Sequence, residues 1–176
     1  MISAKLKSLT QGLSGKKHLN ELVAHIIQNP KEINDLFKLY FGSSSRQKSF
    51  ISWSLGHLAE KAPELLYPFH DAMIKELDST NLKAVKRNFT RAFRFSKVQK
   101  ENHGRLYDCC FCFITDNNES IAVRAFSILI CQELCMTYPD LKRELIIVLR
   151  SIIPNGSSGL KHRAKEGIKL LSKSFP

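Results

Sequence analysis

A basic residue returns along this 176-residue chain at an almost constant interval, at Lys48, Lys86, Arg124 and Arg163, in steps of 38, 38 and 39 residues. Other features keep the same phase. Asp78 and Asp116 stand eight residues ahead of Lys86 and Arg124. Pro63 and Pro139 are 76 residues apart, two periods, and each is followed by an acidic residue and a leucine, Glu64-Leu65 and Asp140-Leu141. A unit of about forty residues with apolar stripes at helical spacing cannot bury its apolar face alone, and stacked neighbours bury it instead. The period therefore predicts an all-α chain without sheet, a right-handed α-solenoid of stacked antiparallel helix pairs.

The apolar spacing places the helices. Ser44–Lys61 carries Phe50, Trp53 and Leu58, and Pro63–Leu77 keeps Leu66, Phe69, Met73 and Leu77 on one face. Pro68 lies inside the second segment, where it removes a hydrogen bond, so a kink or a late helix start is expected there. Leu82–Val98 with Glu101–Thr115, and Ser120–Met136 with Pro139–Ile153, form the next pairs. Ile121–Met136 is apolar on nearly every face, which asks for neighbours on several sides. Residues 154–159 read as a loop, and Leu160–Ser174 as a last helix, apolar on one side and lysine-rich on the other. At the other end, Lys17–Gln28 and Lys31–Phe41 make a shorter pair, with Ile2–Leu13 as an added helix. The expected organisation is one domain over 1–176. It comprises an N-terminal cap and short pair at 1–43, core repeats at 44–153 and a capping helix at 158–174.

Composition narrows the class. Hydrophobic residues make up 43% and charged residues 24%, the balance of a chain with a packed core rather than a disordered one. The longest apolar runs are too short for a bilayer, so no membrane partner is expected. Met1-Ile2-Ser3-Ala4-Lys5 lacks the apolar stretch and small-residue site of a secretory leader. Five cysteines, an odd number crowded between Cys109 and Cys135, suit a reducing compartment and lead to an expected cytoplasmic location.

Ala122-Val123-Arg124-Ala125-Phe126, after Asp116 and before Tyr138-Pro139-Asp140-Leu141, resembles a HEAT repeat. In that family an Asp closes the turn after the first helix and a Val-Arg pair opens the second. Asp78 with Val85-Lys86 resembles it too, with Lys in place of Arg, and Pro68 answers to the Pro often found inside the first helix. The resemblance covers roughly residues 17–174 and implies a curved, armadillo-type α-solenoid. Its second helices would line a concave surface that binds a protein or a nucleic acid. It also implies that Asp78, Lys86, Asp116 and Arg124 form a polar ladder between repeats, a structural role rather than a ligand site.

The charge is unevenly placed. The net charge is +11, yet residues 83–105 hold eight basic residues and one acidic, residues 155–176 hold five and one, and the rest is balanced at fourteen of each. Lys83, Lys86, Arg87, Arg91, Arg94, Lys97 and Lys100 run through the first segment at helical spacings, interleaved with Phe89, Phe93 and Phe95. Such a row can meet an acidic protein surface or straddle a phosphate backbone. The leading expectation is a non-enzymatic scaffold or adaptor for a macromolecular, acidic protein partner. Nucleic acid is the alternative, since HEAT-like alkylpurine DNA glycosylases hold DNA on such a surface. Those enzymes use a carboxylate and aromatic side chains at the lesion, whereas Trp53 is the only Trp here and has no Asp near it in sequence. No catalytic residue is assigned. Cys109 with Cys112, and Cys131 with Cys135, share helix faces, but they sit within apolar helices and are expected in the core, without a metal. Trp53 is expected in the core, and His57, His70, His103 and His162 at the surface or an interface. No cofactor is expected, and the pattern specifies no oligomeric state.

Overall fold

The computed structural model describes residues 2–11 and 15–173. Among the described residues the chain is all-helical, with ten α-helices and no strand. Leu13 and Ser174, the expected ends of the first and last helices, lie outside the described residues. The chain divides into two compact units, Met1–Val98 and Gln99–Pro176.

The first unit contains α1 (Ala4–Thr10), α2 (Lys16–Gln28), α3 (Ile33–Phe41), α4 (Ser45–Lys61), α5 (His70–Ser79) and α6 (Lys83–Phe95). Helices α2, α4 and α6 lie side by side as one layer, while α3 packs on α4 and α5 on α6. Between them Leu22, Ile26, Leu36, Tyr40, Ile51, Leu55 and Phe89 are fully buried. Each such aliphatic or aromatic side chain removed from water contributes about 1.5–3 kcal/mol. Helices α4 and α6 approach closely over Gly56, where an added Cβ would lie 3.1 Å from the backbone oxygen of Asn88. The Asn88 amide nitrogen donates to the Ser52 hydroxyl at 3.0 Å, so the buried polar groups at this crossing satisfy each other.

The second unit contains α7 (His103–Thr115), α8 (Ile121–Thr137), α9 (Lys142–Asn155) and α10 (Ser158–Lys173). Helix α8 packs against α7, α9 and α10, which explains a sequence apolar on nearly every face. Helix α10 covers α8 and α9 with Leu160, Ala164, Gly167 and Leu171, and leaves Lys165, Lys169 and Lys173 in solvent. A side chain at Gly167 would overlap the Gln132 amide and press on Leu149.

Short 3-10 turns precede α3, α5, α7 and α9, at Pro30–Glu32, Pro63–Phe69, Lys100–Asn102 and Pro139–Leu141. Three of the four open on proline, whose missing N–H and fixed φ suit a first helical position. Pro68 extends the second of these turns, and α5 begins at His70 instead of near Pro63. The loop expected at 154–159 contracts to Gly156-Ser157. Helix α9 runs through Pro154 to Asn155, and the Gly156 N–H closes on the Ile152 carbonyl at 2.8 Å. A Cβ at Gly156 would sit 2.8 Å from that same oxygen, so only glycine fits the stop.

Candidate functional site

Helix α6 divides its side chains sharply. Val85, Asn88, Phe89, Ala92 and Phe93 are buried, and Lys83, Arg87 and Arg94 are exposed. At 3.6 residues per turn these three cations fall within about 40° of arc and span about 16 Å of helix. The first turn of α6 has no acidic residue. Lys83 stands there against the positive end of the helix dipole, and its neighbours repel it. Local helix energetics therefore disfavour this row, and an opposing negative surface would relieve it.

Not every residue of the expected row belongs to it. Arg91 turns toward α4, where its Nε donates to Glu60 Oε1 at 2.9 Å and its Nη2 reaches the same oxygen. Its Nη1 lies 3.3 Å from His57 Nε2. Arginine can only donate, so Nε2 of His57 accepts, and the ring proton sits on Nδ1, 3.8 Å from Glu60 Oε2. Burial first, then the nearby Arg91 charge, holds the His57 pKa below its ordinary value and favours this neutral form. Lys86 is half-buried. The helix stops at Phe95 rather than Val98, so Lys97 lies beyond it and Lys100 belongs to the second unit. Of the interleaved aromatics, Phe89 and Phe93 are core, while Phe95 is exposed beside Arg94, whose guanidinium carbon is 5.8 Å from its ring centre.

Trp53, expected in the core, is half-buried and meets the His57 ring edge-on at 6.0 Å. Trp53, neutral His57 and Glu60 therefore follow one another along α4, the last two against Arg91 of α6, while Arg46 and Lys61 are exposed near the ends of α4. Sequence reasoning missed Glu60 as the Arg91 partner. The i, i+3 spacing of His57 and Glu60 was visible, but the register of α4 on α6 was not. His70, expected at the surface or an interface, is fully buried between Tyr67 and Phe93, with ring centres at 5.5 and 5.3 Å. His103 is half-buried with Nδ1 3.1 Å from the Tyr138 hydroxyl, and His162 is exposed.

The four residues of the expected ladder are placed as follows. Asp116 follows α7, and its carboxylate accepts the Asn118 N–H at 2.8 Å in a local turn. Arg124 is buried in α8, and its Nε donates to the Ile114 carbonyl at 3.1 Å. That carbonyl is one of the orphan acceptors at the end of α7, so Arg124 caps the helix with favourable charge. Asp78 is exposed near the end of α5, and Lys86 lies in the first turn of α6. Lys48 of α4 donates from Nζ to Glu76 Oε1 of α5 at 3.1 Å, and the buried Tyr40 hydroxyl donates to the same oxygen at 2.9 Å.

Cys109, Cys110, Cys131 and Cys135 are buried and Cys112 is exposed. Burial pushes the Cys131 thiol well above its ordinary range and Cys135 up to about 11, which disfavours the thiolates a metal would need. Among the described residues no group of three His, Cys, Asp or Glu side chains is arranged to hold a metal ion. No helix among them is long and apolar enough to cross a membrane.

No curated protein and no solved structure matches the chain significantly. A protein-family comparison does, with the HEAT repeat domain, over residues 6–169. The match takes in both units and every helix pair just described, and the chain belongs to the HEAT repeat family.

Proposed function

We propose that the protein is a non-catalytic adaptor that captures an acidic segment of a protein partner on the exposed face of α6. The observation that carries this reading is a line of exposed cations on α6 next to a helix that presents a half-buried Trp. Lys83, Arg87 and Arg94 form one line on one helix. On the adjoining helix stand Trp53, a neutral His57 and the Glu60 carboxylate paired with Arg91, with the exposed Arg46 and Lys61 near its two ends. A phosphate backbone favours cations spread across neighbouring helices, because each neutralised phosphate adds to affinity, whereas the exposed cations of α4 stand only near its two ends. A half-buried Trp beside a line of Arg is instead the composition of a protein-binding hot spot. An acidic helix or strand lying along α6 would answer the three cations, and Trp53 would supply apolar contact at its edge.

The test is capture from cell lysate by wild-type protein and by the triple variant Lys83→Glu/Arg87→Glu/Arg94→Glu, each with and without nuclease. The expected outcome is an acidic protein retained by wild type, insensitive to nuclease and lost with the triple variant. Retention that disappears on nuclease treatment would replace this reading by nucleic-acid binding. Equal retention by both proteins would remove α6 from the binding surface.

A further inference from the structure

The second unit holds a cavity of about 510 Å³ where the end of α7, the start of α8, the end of α9 and the start of α10 come together. Its volume is that of a small-molecule site rather than a packing defect. Ile114, Val148, Ile152 and Leu160 give it one apolar side, Thr115, Asn117, Ser151 and Asn155 add polar side chains, and Ile121, 55% exposed, stands at its rim. One cation lines it, Arg124, which is only 9% exposed. Capping the Ile114 carbonyl uses Nε alone. Among the described residues Nη1 and Nη2 have no hydrogen-bond partner, and neither is sealed from solvent.

A nearly buried guanidinium with its outer nitrogens unpaired, in a wall of mixed apolar and polar side chains, is an electrostatic demand. Burial weakens its hydration, and the two terminal nitrogens present a planar fork that matches the two oxygens of a carboxylate. We infer that this cavity binds a small carboxylate with an apolar body, the carboxylate on the Arg124 fork and the body against the isoleucine wall. Two features shape the affinity. Helices α8 and α10 begin at the cavity, at Ile121 and Ser158, which adds positive potential. Glu119, also in the wall, opposes it, although its Oε1 already accepts the Ser120 N–H at 2.7 Å. The cavity lies in the unit that lacks α6, so this inference and the adaptor reading stand or fall separately.

Hexanoate and hexanol are the first probes, titrated into the full-length protein by calorimetry at low salt. Hexanoate should bind one to one, and hexanol at least about tenfold more weakly, because a charge-assisted pair to a shielded guanidinium contributes about 1.5–3 kcal/mol. Ile121→Asp keeps the fold, since the position is exposed and an acidic residue suits a first helical turn, and it should weaken hexanoate by a similar factor and hexanol less, because only hexanoate meets the added charge. Glu119→Gln should strengthen hexanoate severalfold. Peptides ending in leucine, as free acid or as amide, distinguish the sources. Binding of the acid alone would admit a polypeptide C-terminus as ligand, and failure of both would restrict the site to free organic acids. Hexanoate and hexanol binding equally, hexanoate failing to bind wild type, or Ile121→Asp leaving hexanoate affinity intact would each overturn the inference.

Discussion

Lys48 and Arg124 stand two periods apart at the same place in the repeat, one in each unit, and they do different work. Lys48 reaches a side-chain carboxylate, Glu76, that it shares with the buried Tyr40 hydroxyl. Arg124 reaches a backbone carbonyl, that of Ile114, and turns its remaining nitrogens toward a cavity. Glu76 lies 28 residues after Lys48, on the following helix, and the residue 28 after Arg124 is Ile152 of α9, in the cavity wall. The same place on the following helix offers an acid in one unit and an isoleucine in the other. Periodicity thus sets where a cation emerges, while a single residue on the facing helix decides whether it joins a closed ion pair or remains available to a ligand.

The sharpest way to break this contrast is to remove one member of each interaction, the shared acceptor Glu76 and the donor Arg124, and compare costs. Glu76→Ala should be the more damaging change, at about 2–3 kcal/mol. It strands both the Lys48 ammonium and the Tyr40 hydroxyl, in a site where Glu76 and Lys48 side chains are 12% and 22% exposed. Arg124→Ala should cost about 1–2 kcal/mol, because it orphans one carbonyl that water in the adjoining cavity can reach. Urea unfolding of both variants checks the order, and an Arg124→Ala cost above that of Glu76→Ala would reverse it.

A smaller effect refines the account of Arg124. The carboxylate of Asp116 is spent on the Asn118 N–H, so a double-mutant cycle between Asp116→Asn and Arg124→Gln should show coupling below about 0.5 kcal/mol. Coupling of 1 kcal/mol or more would restore the charge ladder that the family resemblance implies (about the level at which contacting residues register).

The smallest effect is one of pH. His57 has a lowered folded pKa, so the unfolded chain takes up its proton first as the solution is acidified. Its contribution to stability is full above the ordinary value of 6.5 and is lost as the pH falls below it. His57→Gln should flatten the stability profile in that range, and an unchanged slope would contradict the neutral, Arg91-accepting form.

Much of the architecture was legible because it depends on spacing. The helix pairs, the demand of α8 for several neighbours and the solvated side of α10 all follow from which residues are apolar at intervals of three and four. The misplacements have local causes. Pro68 delays α5, Pro154 is accommodated in the last turn of α9, and α6 ends at Phe95, which takes Lys97 off the basic face. The candidate site was half legible. Lys83, Arg87 and Arg94 could be read from composition, but the diversion of Arg91 to Glu60 depends on how α4 and α6 register across a gap of 31 residues. The Arg124 cavity left no mark in the sequence, because it is formed by four helix ends whose meeting is set by packing.

The central claim is that the exposed face of α6 is where a protein partner docks. The most direct measurement is photo-crosslinking in lysate from a photoreactive residue placed at Ala84, a half-buried position on that helix beside Lys83 and Arg87. The account predicts a discrete crosslinked protein of acidic composition. It should survive nuclease, fade as salt is raised, and vanish when Arg87 and Arg94 are changed to glutamate. A crosslink that is digested by nuclease, or one whose yield is indifferent to both salt and charge reversal, would contradict it.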